Sequence, residues 1–273
     1  MHVSLGARLL IAAAAALPCA AAAQLEQYSQ PPVVEGKDVI WVPTPDHAVD
    51  RMLALARVGP QDLVVDLGSG DGRIPIVAAK RYGARGLGIE YSPDLVEVSR
   101  RNARAEGVAD RVRFVQADFF EADFRGATVV TLYLLTSLNV KLRPKILDMR
   151  PGTRVVSHVF RMGDWEPDET LKLGASELFL WRVPAKVDGR WRVAVAGGAP
   201  FELAFEQRYQ RLAGRAIAGG GRFPLQAARL SGDEIRFAYA DARGVQQAFV
   251  GRVAGPRMES ADGAWSAVRV ATN

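Results

Sequence analysis

Apolar runs alternate with helical repeats along the first two thirds of the chain and predict strands that alternate with helices. The apolar, partly β-branched run Leu63–Val65 predicts a buried strand, and Asp66 is expected to mark its polar end. Three glycines follow at alternate positions, Gly68, Gly70 and Gly72, before a helical pattern begins at about Arg73. Because glycine adopts left-handed dihedrals at little steric cost and a helix start has unpaired N–H groups, this arrangement predicts backbone close to a ligand.

The remaining pattern predicts a sheet covered by helices and then a change of architecture. A helix is expected first, with Thr44 as its N-cap and Pro45 at the first helical position. Later strands are expected at 86–90, 111–116, 128–135, 154–160 and 176–183, and helices from 73, at 93–106 and at 141–149. From residue 189, seven short alternating runs between Gly, Asp or Pro turns predict an antiparallel meander, closed or nearly closed as a small barrel.

Acidic residues follow three successive predicted strands, at Asp66, Glu90 and Asp118. Ligands of open α/β sheets bind at the carboxyl ends of the strands, and Glu90 stands where a βαβ unit presents an acid to ribose hydroxyls. The turn does not have the dinucleotide-binding spacing G-x-G-x-x-G, because Arg73 occupies the place of the third glycine. A tight turn without a ligand and an exposed acid at the end of a strand are the structural alternatives.

Charge and rare residues narrow the possible chemistry. The net charge of +5 belongs to the part from Lys186 onward, which has 13 Lys and Arg against 8 Asp and Glu. A basic surface could attract anionic membranes or nucleic acid, but dispersed charges are also typical of a soluble β-rich surface. His47 and His158 are the histidines after the N-terminal segment, so no metal site is expected. His158 is either a core residue or a proton acceptor.

The N-terminus has the pattern of a secretory signal peptide at 1–23, with one arginine, an apolar stretch and a small-residue cleavage site after Ala23. A retained membrane anchor is the alternative. Residues 24–38 are expected to form an extended linker. The one cysteine, Cys19, would be removed with the signal, leaving no disulfide or cysteine nucleophile. We therefore expect an exported, periplasmic or membrane-associated protein.

The motif D-x-G-x-G-x-G at 66–72 resembles motif I of the class I S-adenosylmethionine (SAM) methyltransferases. Further blocks resemble the lysine methyltransferases of the adenine nucleotide translocase and the ATP synthase c-subunit: Val42–Pro45, Val65–Ile74, Gly88–Glu90, Arg154–Ser157 and Trp165–Pro167. The resemblance implies a Rossmann-like, doubly wound, mostly parallel α/β sheet in a methyltransferase domain at 39–185. The β-rich domain expected at 189–271 departs from that family.

The same resemblance implies SAM as the cofactor and assigns its binding site. Asp66 and the glycine turn would hold the amino-acid end, and Glu90 would bind the ribose hydroxyls. Asp118 would accept a hydrogen bond from the adenine amino group, and Phe119 would pack on the ring. The full set implied for the cofactor is Asp66, Gly68, Ser69, Gly70, Asp71, Gly72, Glu90, Tyr91, Asp118 and Phe119.

The methyl acceptor is expected to bind after the fourth strand, where candidate catalytic groups are Tyr133, Thr136, Ser137 and Asn139. The Asn/Asp-Pro-Pro-Tyr-like signature of adenine and glutamine methyltransferases is missing there, and the resemblance favours transfer to a lysine ε-amine of a protein. A small-molecule or lipid methyltransferase and a non-catalytic, exported SAM-fold binding module remain alternatives. Membrane association is compatible with all three, and nucleic acid is not an expected partner.

Overall fold

The computed structural model of the protein describes residues 42–271. The predicted signal peptide and linker lie outside the described residues. The first sheet and its helices comprise α1 (Asp46–Leu55), β1 (Leu63–Leu67), α2 (Arg73–Tyr82), β2 (Arg85–Glu90), α3 (Pro93–Ala105), β3 (Val112–Gln116), β4 (Val129–Leu132), α4 (Thr136–Leu147), β5 (Arg154–His158), β6 (Glu169–Leu173) and β7 (Ser176–Arg182).

These strands form a seven-stranded sheet with the order β3-β2-β1-β4-β5-β7-β6. The first five strands pair in parallel, and β7 and β6 are antiparallel additions at one edge. The buried apolar side chains of β1 alternate between two clusters, with Val64 packed toward α1 and Val65 toward α4. The predicted mostly parallel α/β sheet is confirmed.

Several element boundaries differ from those predicted. The helix α4 begins at Thr136 rather than near residue 141. The prediction missed its first turn because polar Asn139 occupies a buried position where an apolar residue was expected. The strand β6 was not predicted, since its side chains are mostly exposed and polar at the sheet edge. Thr44 does not cap α1: Pro45 is the N-cap, and no side-chain cap bond forms.

The second sheet closes on itself as an antiparallel barrel. Its strands are β8 (Gly189–Val195), β9 (Phe201–Arg208), β10 (Arg211–Ala218), β11 (Gly221–Pro224), β12 (Gln226–Ser231), β13 (Glu234–Ala240), β14 (Gln246–Ala254), β15 (Arg257–Glu259) and β16 (Trp265–Arg269). Pairing of β9 with β10 completes the ring of eight strands, and β11 extends it as a hairpin on β10. The predicted barrel is confirmed, although the sequence pattern did not separate β11 from β12 and did not predict the short β15.

Aromatic rings fill the barrel. Phe237 and Phe249 stack with centroids 4.9 Å apart, and Trp265 meets both of them edge-on. These rings belong to one cluster of buried side chains that runs through the barrel. The barrel interior is therefore a packed core. Among the helices of residues 42–271, none has the length and apolar character needed to cross a bilayer.

Candidate active site

The glycine turn between β1 and α2 is fixed against the carboxyl end of β2. The N–H groups of Gly68 and Ser69 both donate to the carbonyl oxygen of Ile89, at 2.8 and 3.1 Å. The N–H of Gly70 donates to Oε2 of Glu90 at 2.9 Å, and Oε1 of Glu90 accepts from the N–H of Ser92 at 2.9 Å. Glu90 thus holds the turn in place, a role that its position in the sequence did not reveal.

Close packing beneath the turn explains two of the glycines. Gly72 has a φ of +81°, and a Cβ there would lie 2.6 Å from the ring of Phe114. A Cβ at Gly88 would lie 2.4 Å from the same ring and 2.5 Å from Oγ of Ser69. That hydroxyl is buried and has no hydrogen-bond partner among the described residues. Because an unpaired buried hydroxyl costs on the order of 1–3 kcal/mol, the turn suits a ligand that supplies a partner.

Asp66 lies inside β1 rather than at its polar end, which corrects the expectation from the sequence. Its side chain is buried, and Oδ1 accepts a hydrogen bond from the hydroxyl of Thr131 on β4 at 2.6 Å. Burial raises the pKa of Asp66 to about 7; the Thr131 bond opposes this shift, whereas the negative charges of Glu90 and Asp71 add to it. Near neutral pH this carboxyl group is therefore poised between its two protonation states.

Asp71 and Arg73 connect the turn to the segment before α1. Nη2 of Arg73 lies 2.6 Å from Oδ2 of Asp71, and Nη1 donates to the carbonyl oxygen of Thr44 at 2.9 Å. The carbonyl oxygen of Asp71 accepts from the side chain of Asn102 at 2.9 Å. Asp71 thus stabilises the shape of the turn through contacts on two sides.

The carboxyl ends of β2 and β3 bring the remaining predicted cofactor residues to the same edge. The N–H of Ala117 donates to the carbonyl oxygen of Glu90 at 2.9 Å, which joins the two strand ends. Tyr91 is 44% exposed there. Oδ1 of Asp118 accepts from the N–H of Phe120 at 2.9 Å, and the half-buried rings of Phe119 and Phe120 lie 4.7 Å apart. Polar Asp118 and the rings of Phe119 and Phe120 thus follow the strand end that is bonded to Glu90.

The four acceptor-side candidates separate into exposed and buried groups. Thr136 and Ser137 are exposed in the first turn of α4, and Tyr133 is half-buried directly after β4. Asn139 is fully buried, and its Nδ2 donates to the carbonyl oxygens of Phe160 and Arg161 at 3.3 and 3.4 Å. The location of Asn139 favours positioning of the segment after β5 over contact with an acceptor.

An aromatic wall, formed by Tyr133, His158 and Phe160, stands at the ends of β4 and β5. The ring centroid of Tyr133 lies 4.4 Å from that of His158 and 5.9 Å from that of Phe160. Burial lowers the pKa of His158; its Nε2 lies 3.2 Å from Oγ of Ser176, and its Nδ1 has no partner in the described structure. Sequence reasoning did not select Phe160, although its place at the end of the predicted fifth strand was the available signal.

The turn that forms this wall is strained. Val159 has a φ of +67°, a conformation that β-branched residues rarely adopt, and the N–H of Phe160 donates to the carbonyl oxygen of His158 at 2.8 Å. Oγ of Ser157 donates to the carbonyl oxygen of Phe160 at 2.6 Å and helps to hold the turn. Such strain is maintained only where surrounding contacts over-determine the backbone, and it is common at ligand sites.

Comparison with known families supports this site. The family model for the ANTKMT methyltransferase domain matches residues 66–169. A protein-lysine N-methyltransferase from Saccharolobus islandicus is 44% identical over 137 residues, which are 50% of this chain and 85% of that protein. An ATP synthase c-subunit lysine N-methyltransferase from Xenopus laevis is 32% identical over 53% of this chain and 64% of its own length.

The chain is also similar to a methyltransferase of solved structure. The crystal structure described as an RNA methyltransferase from Salinibacter ruber in complex with S-adenosyl-L-homocysteine is 56% identical and has a TM-score of 0.53. The match covers 54% of this chain and 96% of the Salinibacter ruber chain. The bound compound is the demethylated product of SAM. The buried Ser69 hydroxyl and the glycine turn pinned by Glu90 suit such a cofactor, and each oxygen of the Glu90 carboxylate keeps acceptor capacity beyond its one bond to the backbone.

Replacement of Glu90 tests its assignment to the cofactor. We expect Glu90→Ala to weaken SAM binding at least tenfold, about 1.4 kcal/mol, because both the ligand acceptor and the clamp on Gly70 are lost. Calorimetric titration measures the change. Glu97→Ala on the exposed face of α3 is the matched control, and circular dichroism reports whether each variant is folded. Unchanged affinity in folded Glu90→Ala would refute the assignment.

The raised pKa of Asp66 predicts a pH-dependent affinity. If ionised Asp66 faces the cationic amino-acid end of SAM, binding favours the carboxylate and releases a proton. The dissociation constant should therefore fall by up to about tenfold as pH rises from 6 to 8. Asp66→Asn mimics the neutral acid, so its dissociation constant should depend less on pH across this range. Comparing the two proteins cancels the contribution from titration of SAM itself. Parallel pH profiles for both proteins would contradict this role.

Proposed function

Because the chain belongs to the class I SAM-dependent methyltransferases, in the family of the adenine nucleotide translocase and ATP synthase c-subunit lysine methyltransferases, we propose that it methylates the ε-amine of a lysine in a protein. The observation that carries the proposal is the aromatic wall beside the glycine turn. A Cβ on Gly68 would lie 3.3 Å from the side chain of Leu134, so the residues after β4 pack directly against the turn. An acceptor at the wall would therefore be next to the cofactor.

The wall suits the chemistry of a lysine side chain. Aromatic faces pack on its apolar stem and tolerate the positive charge of both substrate and methylated product. Lysine attacks only when neutral, and its ordinary pKa is about 10.4, so removal from water at the wall would lower the cost of losing the proton. Burial lowers the pKa of His158, so the imidazole is neutral at neutral pH and does not repel the ammonium group.

SAM, when bound, supplies a methyl group activated by a sulfonium. The C–N bond forms on the lysine nitrogen as the C–S bond breaks, and the lysine proton passes to solvent. The chain's own contribution is orientation: Glu90 fixes the turn, and Asn139 fixes the backbone that carries Phe160. Holding two reactants in line is a large share of such catalysis.

Exposed apolar side chains suggest the surroundings of the lysine. Tyr91, Leu135 and Val159 are 44%, 44% and 39% exposed, and they follow β2, β4 and β5 at the same edge of the sheet. A group of exposed apolar residues around a site is typical of contact with another protein or a membrane. We propose that the acceptor is a membrane protein.

Other acceptors remain competing proposals. A small molecule or lipid would use the same site, and a non-catalytic module would bind SAM without turnover. The 56% identical relative described as an RNA methyltransferase makes RNA the second candidate, and the basic barrel is compatible with it. Each alternative predicts a different destination for the methyl group.

The acceptor class is tested with radiolabelled SAM and a membrane lysate, separated after reaction into protein, RNA, lipid and small-molecule fractions. We expect label in protein, enriched in the membrane fraction, and mass spectrometry should place it on lysine as additions of methyl groups. Glu90→Ala, with weakened cofactor binding, is the control for background transfer. Label confined to RNA, lipid or small molecules would contradict the proposal, as would wild-type protein that binds SAM and transfers nothing.

We also propose export, on the strength of the apolar segment and small-residue cleavage site at the N-terminus. Cleavage after Ala23 predicts that the purified protein begins at Gln24. N-terminal sequencing of protein from the membrane and soluble fractions measures this directly. A retained Met1 in protein from both fractions would contradict cleavage.

A further inference from the structure

A row of four arginines crosses the outside of the barrel. Strand pairing sets Arg208 of β9 opposite Arg211 of β10, Arg211 opposite Arg229 of β12, and Arg229 opposite Arg236 of β13. Like charges placed directly opposite in neighbouring strands destabilise a sheet. Strand pairing within the barrel therefore does not stabilise this arginine row. We look for its stabilising partners in the residues that face it.

Three carboxylates face the arginine row from the segment between β5 and β6. Arg208 Nη2 lies 2.8 Å from Oδ2 of Asp164, and Arg229 Nη2 lies 3.1 Å from Oδ1 of Asp168. Arg211 forms an ion pair with Glu166. The acids stand at alternate positions of one segment, which we call the acidic segment (residues 164–168). Its carboxylates match successive members of the row, and the Asp168 side chain is only 2% exposed.

A hydrogen-bonded core lies beneath these ion pairs. The turn between β9 and β10 inserts Gln210, which is buried, so that Oε1 accepts from Nε1 of Trp165 at 2.9 Å and Nε2 donates to the carbonyl oxygen of Glu166 at 2.7 Å. The ring of Tyr209 stacks on Trp165 with centroids 5.8 Å apart. Nε1 of Trp181 on β7 donates to the carbonyl oxygen of Trp165 at 2.8 Å. The barrel turn and the sheet therefore hold the same tryptophan, the turn through the ring N–H and the sheet through the backbone carbonyl oxygen.

The acidic segment is continuous with the backbone that carries the aromatic wall. Phe160 precedes Asp164 by four residues, and the strained turn at Val159 begins the same connection. On the other side α4 holds this connection: Asn139 binds the carbonyl oxygen of Phe160, and Nη1 of Arg143 binds that of Met162 at 2.9 Å. The connection from Val159 to Asp168 is thus held by three elements: α4, whose Arg143 also pairs with Asp164, β7, which bonds Trp165 and Asp168, and the barrel.

We propose that the barrel is a positioning domain for the methyl acceptor: Gln210 and the arginine row fix the acidic segment and, through it, the aromatic wall. The cofactor turn is held by other contacts, since its hydrogen bonds run to β2, α3 and the segment before α1. Loss of the barrel anchor should therefore affect acceptor use and leave SAM affinity unchanged. The assignment of the wall as the acceptor site rests on the proposed function. The physical coupling between the barrel and the wall does not.

The test removes the anchor at its buried point with Gln210→Ala and follows amide hydrogen exchange at 159–168. We expect exchange there to accelerate about tenfold or more, because the variant lacks two hydrogen bonds, one buried and one partly buried, that oppose local opening of this segment. The concentration of membrane protein extract at half-maximal labelling should rise about fivefold or more, while the dissociation constant of SAM stays within about twofold. Unchanged exchange would overturn the coupling. Faster exchange with unchanged acceptor use would overturn the positioning role.

Exchanging the charges of Arg211 and Glu166 tests the ion pair by rescue and leaves the buried core unchanged. Arg211→Glu places two carboxylates together, and Glu166→Arg adds a fifth arginine beside the row. Each single variant should impair acceptor use, and the double variant should restore it to within about twofold of wild type. Absence of rescue would overturn the role of the row. Arg252→Ala is the matched control, because it removes an exposed ion pair between two barrel residues, Arg252 and Asp233. It should change neither hydrogen exchange at 159–168 nor acceptor use.

The readouts separate two kinds of failure. If wild-type protein labels no lysine, the proposed function fails, and the exchange data still decide whether the barrel fixes the segment. If wild-type protein labels lysine and Gln210→Ala behaves as wild type in both assays, the positioning proposal fails alone.

Discussion

The carboxylate of Glu90 is the contact on which the site depends. It is buried at the end of β2 and accepts two backbone hydrogen bonds, one from the glycine turn and one from the start of α3. An ionised acceptor makes stronger hydrogen bonds than a neutral one, so a single side chain can hold two elements in register. The acid expected to bind ribose therefore also holds the glycine turn in place, and its loss would affect both ribose binding and the shape of the turn.

The cofactor half of the site was accessible from sequence because its determinants are local. A buried strand, a glycine turn and a helix follow one another within a short stretch, and parallel pairing brings the next strand ends alongside. What sequence could not show is the burial of each acid. Asp66 was expected at the end of a strand, yet it lies within β1 against Thr131, and this burial gives it the raised pKa.

The acceptor half was less accessible because its determinants are distant in sequence. Asn139 breaks the apolar periodicity of α4, and its meaning appears only when the segment after β5 folds against it. The same holds for the arginine row. Arg208, Arg211, Arg229 and Arg236 have no regular spacing, and a register shift between Gln226 and Arg229 helps to align them. Only strand pairing reveals that they form one line opposite the acidic segment.

These two halves meet at the edge where β1 and β4 end, with Leu134 packed against Gly68. We infer that SAM binds at this edge. Calorimetric titration of the wild-type protein with SAM, and with S-adenosylhomocysteine as the product, is the decisive measurement. We expect saturable binding of both compounds at a single site. No detectable binding at millimolar concentration would refute the inference.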